Sequence, residues 1–242
     1  MKTVNALIFA IAIVTAAVFF GNSYQNRSKE RGIITVKGLA QKDFKSDLVV
    51  WTGSFRQESA DIKESYSKID KDRKIVNEYL IGKGIKPEEI VFSAVSSEIL
   101  TSSQYTQEGK FIGTVRTGYA MNQTVTVSSN NVELVEKVAR EITELLNEGV
   151  SFDSYSPAYY YTKLTELKQE LIEEATKDAF SRAQIIVQNS NGKLGKLLNA
   201  QLGIFQITGL YEQEDYSWGG VFNTSSKNKT ASVTVTLKYS LK

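Results

Sequence analysis

The sequence predicts an α+β fold in which an antiparallel sheet is covered on one side by helices. Three observations carry this. From Thr162 to Ser190 apolar residues recur at Leu164, Leu167, Leu171, Ala175, Ala179, Ala183 and Ile186, the steps of three and four that mark a helix. From Ala231 to Leu241 the pattern changes to strict alternation, with Val233, Val235, Leu237, Tyr239 and Leu241 set against Ser232, Thr234, Thr236, Lys238 and Ser240. Between these ends the elements come in runs: two strands, a helix, two strands, two helices and two strands.

Taken in order, the chain begins with Val4 to Phe20, an apolar run interrupted only by Asn5 and Thr15. This predicts an N-terminal hydrophobic helix, serving as a cleaved export signal or an uncleaved membrane anchor. The end of the run, Phe19-Phe20, is a poor cleavage site, which favours the anchor; Arg27, Lys29 and Arg31 compete with Lys2 and leave the orientation open. Residues 1–29 therefore form the anchor and the start of a polar linker, and residues 30–242 form one folded domain.

The body opens on a β-branched strand at Ile33 to Val36, followed by a strand at Asp47 to Phe55. Ser59-Ala60-Asp61 starts a helix whose stripe is Ile62, Tyr66, Ile69, Val76 and Leu80, widened by Ile75 and Tyr79, and Gly82 and Gly84 stop it. Ile90 to Leu100 reads as a strand. Gln104 to Gly118, polar and punctuated by Gly109 and Gly113, reads as a hairpin loop or a mobile excursion. Tyr119 to Ser128 alternates, with Met121, Gln123, Val125 and Val127 on the inner side. Asn131 caps a helix carrying Val132, Val135, Ala139, Ile142 and Leu146 that ends near Gly149, and Phe152 to Tyr161 is extended. After the long helix, Leu194 to Thr208 is a strand region and Tyr211 to Lys229 a polar loop.

Composition excludes several chemistries. The chain has no Cys and no His, so thiolate or imidazole metal sites and His-relayed triads are impossible. Residues 30–242 carry 26 basic residues against 27 acidic ones, a balance that argues against an electrostatic nucleic-acid binder. No catalytic, metal or cofactor-binding residues are expected. The adjacent acids Glu88-Glu89 and Glu173-Glu174 read as solvated faces, since neighbours on a helix do not converge. Tyr155, Tyr159, Tyr160 and Tyr161 form a dense aromatic patch suited to core or subunit packing, with a sugar-binding platform as the sharper alternative. Trp218, in a polar loop, is an interaction candidate.

Asp178 and Arg182, four residues apart beside the alanine ladder, are expected to pair and anchor the helix to a loop or a neighbouring subunit. Gly192 and Gly195 are expected to make a helix stop and turn.

An ordered set of short motifs resembles the SIMPL (DUF541) family of exported bacterial proteins. The pieces are Ile34-Thr35-Val36-Lys37-Gly38, Ser46-Asp47-Leu48, Gly84-Ile85, Gly118-Tyr119 leading to Val125-x-Val127, Ala175-Thr176-Lys177-Asp178-Ala179 with Arg182-Ala183, Gly192-Lys193-Leu194-Gly195, Gly203-Ile204-Phe205-Gln206-Ile207-Thr208, and Ser232-Val233-Thr234-Val235. Ser46 stands where many members have Pro. The resemblance implies a SIMPL-type α+β domain and location in the cell envelope, either membrane-anchored through residues 4–20 or secreted. It also implies a role in envelope or oxidative stress and, in some relatives, assembly into ring- or channel-like homo-oligomers. It supplies no catalytic residues to carry over. The expected function is therefore non-enzymatic assembly or partner binding, with binding of an envelope polymer or small molecule as the alternative.

Overall fold

A computed structural model describes residues 11–21, 32–212 and 219–242. Residues 11–21 form a helix (α1) with exposed side chains. Among the described residues no helix is long and apolar enough to cross a membrane. The first part of the expected anchor, residues 4–10, lies outside the described residues, as do most of the linker and Trp218.

The rest of the chain forms two compact units, each assembled from separate stretches; the chain passes between them after Gln41, Leu167, Phe205 and Ala231. Antiparallel strands with helices on one side recur in both, as the sequence predicts, but the strands divide into a four-stranded and a six-stranded sheet.

The larger unit is built on the six-stranded sheet. Strand β2 (Leu48–Ser59) lies between β5 (Phe111–Ser129) and the short strands β6 (Phe152–Ser154) and β7 (Ala158–Tyr160), while β3 (Ile90–Phe92) and β4 (Ser96–Tyr105) pair with the other side of β5. The period of two sorts each strand into an inner and an outer face. Val49, Trp51 and Phe55 of β2 and Met121, Val125 and Val127 of β5 are buried. Helices α2 (Ile62–Gly82) and α3 (Val132–Glu141) cover that face with Ile69, Val76, Leu80, Val135 and Val138, and a 3-10 turn of helix at Ile142–Glu148 adds Ile142 and Leu145. Both helices begin at the side chains expected to cap them: Asp61 accepts from the amides of Lys63 and Glu64, and Asn131 from that of Leu134.

Two local readings shift. Ile62 and Tyr66, placed on the α2 stripe by spacing, are exposed; Ser65 and Asp72 take the inner face instead. They do so because the strands offer them partners: the Ser65 hydroxyl meets the carbonyl oxygens of Gln57 and Tyr119, and Gln57 Nε2 donates to Asp72 at 2.6 Å. The strand expected over Ile90 to Leu100 is broken at Ser93, whose hydroxyl accepts the Thr124 amide while its carbonyl accepts from Gln123 Nε2.

The smaller unit contains most of β1 (Ile33–Lys45), α4 (Leu164–Asn189) and β10 (Asn228–Leu241), together with β8 (Leu194–Leu202). The sheet order is β1-β10-β8, with β9 (Gln206–Gly209) also on β10. The closing strand alternates as the sequence predicts, with Val233, Val235, Leu237 and Tyr239 buried. On α4 the buried row is Leu167, Leu171, Ala175, Ala179, Ala183 and Val187, a four-residue step throughout. Each such step turns the face by about 40° on a 3.6-residue helix. For that reason Val187 continues the row, and Ile186, expected on it, points to solvent.

The narrow alanine face has a specific counterpart. A Cβ added to Gly38 would lie 2.1 Å from the Ala175 carbonyl oxygen and 2.4 Å from the Ala179 amide nitrogen, so strand β1 and helix α4 touch backbone to backbone. Asp178 fixes the register of this contact. One carboxylate oxygen accepts the Leu39 amide at 2.9 Å, and the carboxylate also holds Arg182 Nε. Together they keep the Asp178 carboxyl below its ordinary value, the arginine contributing most. Gly192 follows the helix, its amide reaching the Val187 carbonyl after Asn191 adopts a left-handed φ of 56°. Gly195, expected in a turn, instead lies inside β8: a Cβ there would sit 2.6 Å from the Ser240 carbonyl oxygen, so only glycine allows β10 this close.

Candidate functional site

The tyrosine patch resolves into two sets. The segment linking β6 to β7 runs along the C-terminal half of α3 and leaves an open cleft of about 250 Å³, lined by Glu136, Ala139 and Arg140 from the helix, by Ser154 and Tyr159 from the two strands, and by Tyr155, Ser156 and Pro157 from the segment between them. Tyr155 and Tyr159 therefore belong to one site. Tyr160 and Tyr161 do not: Tyr160 pairs with Leu48 in the sheet and its carbonyl accepts the Asp47 amide, while the Tyr161 ring packs on Phe44 at 4.8 Å. The core beneath fixes the cleft wall. Trp51 Nε1 donates to Ser154 Oγ at 3.1 Å, and that hydroxyl reaches the Ala139 carbonyl, tying strand to helix. The Tyr155 hydroxyl meets Ser54 Oγ at 3.0 Å and leaves the ring half exposed.

Glu136 lies on the cleft floor with its carboxylate already engaged: Tyr159 OH donates to one oxygen at 2.8 Å and Lys227 Nζ to the other at 2.8 Å. Burial pushes the Glu136 carboxyl up, but those two donors outweigh it and the net shift is down. Tyr159 moves the other way, pushed up to about 12 by burial and by the Glu136 carboxylate accepting its proton. Above the ordinary carboxyl value of 4.5 the Glu136 contribution to stability is complete, and it fades as pH falls through the lowered value. Below pH 10.0 the Tyr159 contribution is complete, and it fades as pH rises toward about 12. Tyr79 and Tyr239 are also raised above the ordinary value by burial, so we expect the late part of a phenolate absorbance titration to contain a component near 12 that Tyr159→Phe removes and Glu136→Gln brings to lower pH. A titration unchanged by both substitutions contradicts the assignment.

Arg140 forms no hydrogen bond or ion pair with a described residue, although it lines the same cleft. The sequence reading passed over it and Glu136, because their relevance comes from α3 lying beside Tyr155 and Tyr159, which spacing does not reveal.

Several acids elsewhere are engaged. Glu89 accepts the Lys86 amide and the Ser129 hydroxyl, closing a cap, and Glu173 pairs with Lys177 on the exposed face of α4. Glu141 and Glu144 both meet Lys83 Nζ, at 3.0 and 2.7 Å. Lys83, with Tyr79 beside it, holds the Glu144 carboxyl below its ordinary value. Three clefts among the described residues each hold a single carboxylate, Glu89, Asp70 or Glu136.

A second feature was legible only as a loop. Gln104 to Gly118 is the outer half of a two-stranded ribbon, in register from Ile99↔Tyr119 through Thr101↔Arg116 and Ser102↔Val115 to Tyr105↔Phe111. Thr106 and Lys110 close its turn, the Thr106 amide reaching the Lys110 carbonyl at 2.8 Å and Gly109 supplying a φ of 81°. Strand β2 pairs with β5 only from Tyr119 onward, so beyond that point β4 and β5 pair only with each other among the described residues.

The ribbon exposes Ile99, Tyr105, Phe111, Ile112 and Val115, with the Tyr105 and Phe111 rings edge to face at 5.8 Å at its tip. Its many Ser, Thr and Gln residues masked a strand-turn-strand pattern that these apolar residues mark. Comparable apolar residues, Leu197, Leu198 and Leu202 with Ile204 just beyond, are exposed along β8, the end strand of its sheet order.

The α+β architecture, the alanine ladder set against Gly38 and the ordered motifs define the class of protein. The family model named SIMPL, described as a protein of unknown function (DUF541), matches residues 34–239, and the chain belongs to that family. No curated protein matches the chain significantly.

Proposed function

We propose that this SIMPL-family chain is an envelope protein, exported or held at a membrane through residues 4–20, that acts without catalysis by assembling with copies of itself in a role tied to envelope or oxidative stress. The observation that carries the assembly reading is the free ribbon of β4 and β5. A lone two-stranded hairpin is at best marginally stable in water, and this one presents apolar side chains along open strand edges. Natural edges of that kind are covered.

Strand β8 offers the complementary surface, an open edge with four large aliphatic residues on and beside it. Five half-exposed side chains on the ribbon, three on β8 and Ile204 beside it together offer at most on the order of 1,000 Å² of buried area, the lower end of a specific interface. A ribbon of one copy seated on β8 of the next is a heterologous contact, the kind that generates closed rings. Support for a non-catalytic role comes from the missing Cys and His and from the engagement of the acids by caps and lysines. Envelope location rests on the family resemblance and on the apolar run of residues 4–20, of which residues 11–21 are helical with exposed side chains.

The test is the mass of the full chain in mild detergent by light scattering after size exclusion. A discrete multiple of 27.0 kDa is expected, and a monomer at every concentration contradicts the reading.

A further inference from the structure

The cleft between α3 and the β6–β7 segment has a chemistry that self-assembly does not use. Its floor is electrostatically closed, because Glu136 is shared between Lys227 and Tyr159. Arg140 lines the same cleft, and its charge helps to hold the Glu136 carboxyl down, but its planar guanidinium makes no hydrogen bond or ion pair with a described residue. Guanidinium donors in a fork match a carboxylate in two parallel hydrogen bonds. The β6–β7 segment lines the same cleft with the half-exposed Tyr155 and with Pro157, two rings that offer apolar surface, and with Ser154 and Ser156, which offer hydroxyls. The size, about 250 Å³, suits one ring and its substituents rather than an extended polymer segment.

We propose that this cleft is a binding site for a carboxylate-bearing sugar, with the carboxylate on Arg140, the pyranose ring against Tyr155 and Pro157, and ring hydroxyls toward Ser154 and Ser156. The three parts are chemically distinct, so each predicts its own loss. A neutral sugar keeps the stacking and loses the ion pair; a simple carboxylate keeps the ion pair and loses the stacking. Arg140 and Tyr155 are both exposed and lie outside the buried core, so substituting them leaves the fold intact. The site lies away from the ribbon, and binding here does not depend on assembly.

The experiment uses the full chain, isotopically labelled, titrated with D-glucuronate, glucose and acetate while the amide resonances of Ser154 to Tyr159 are followed. Glucuronate is expected to shift them saturably, with glucose weaker by about tenfold or more through loss of the charge-assisted hydrogen-bond pair, and acetate weaker by about tenfold through loss of the stacked ring. Arg140→Gln is expected to weaken glucuronate by a similar factor and to leave the weak binding of glucose unchanged; Tyr155→Ala is expected to weaken glucose and glucuronate alike. The proposal is overturned if glucuronate produces no saturable shift, if acetate matches glucuronate, or if Arg140→Gln binds as the parent does. A variant lacking the ribbon, described below, is expected to bind with parental affinity, which separates this proposal from the assembly reading.

Discussion

Gly38→Ala is expected to unfold the smaller unit or bring it to the edge of stability. The added methyl carbon would stand 2.1 Å from the Ala175 carbonyl oxygen and 2.4 Å from the Ala179 amide nitrogen, both backbone atoms in the middle of a helix. No rotamer change relieves a clash with backbone, so α4 must retreat from β1 along the row where Ala175, Ala179 and Ala183 are fully buried. Retreat also breaks the bond from the Leu39 amide to Asp178. Ordinary overpacking costs about 1–3 kcal/mol, and a clash with fixed backbone exceeds that range, a large part of the ~5–15 kcal/mol that holds a domain together. Gly82→Ala is the control, since its added carbon meets nothing within 4 Å. Denaturant melts followed by circular dichroism should show Gly38→Ala with a strongly lowered midpoint and Gly82→Ala near the parent. Coincident melts for all three contradict the packing account.

Shortening the ribbon is expected to prevent the proposed assembly and leave monomers without loss of fold. Replacing residues 101–117 with Asn-Gly joins Leu100 directly to Gly118, its partner in the register, through a two-residue turn of the type hairpins favour. No residue of the removed segment belongs to the core of the larger unit, so its melting midpoint should stay within about 0.5 kcal/mol of the parent. Placing charges on the other surface, as Leu198→Glu with Leu202→Glu, should have the same effect on mass, because both side chains are about half exposed and inward-facing charge guards an open edge. Retention of the parental mass by either variant removes that surface from the interface.

Much of the fold was readable because long elements announce their period. The β10 alternation and the alternation of Met121, Val125 and Val127 each matched a buried face. Caps at Asp61 and Asn131 were readable for a similar reason, since a short polar side chain before an apolar stripe has one favoured use. The approach of a surface to the alanine ladder could be anticipated; that Gly38 supplied it could not, because the pairing of residues 38 and 175 is a tertiary fact.

The misreadings have physical causes as well. Ile62, Tyr66 and Ile186 fit a helical stripe, yet Ser65 and Asp72 found hydrogen-bond partners on the strands, and a four-residue row turned Ile186 outward. The ribbon read as a loop because glycine and polar residues dominate it, although its cross-strand pairing is continuous from Ile99 to Tyr105 apart from two register shifts. Of the candidate site, the tyrosines were visible in sequence. Arg140 and Glu136 became relevant only when α3 was placed beside them.

The proposed assembly joins copies by a ribbon on one and β8 on the next. Mixing the ribbon-shortened variant with the Leu198→Glu, Leu202→Glu variant tests it most directly, because the first retains only an intact β8 and the second only an intact ribbon. Light scattering on the mixture is predicted to show a one-to-one pair that grows no further. A mixture that remains monomeric, or one that recovers the full parental mass, contradicts that arrangement.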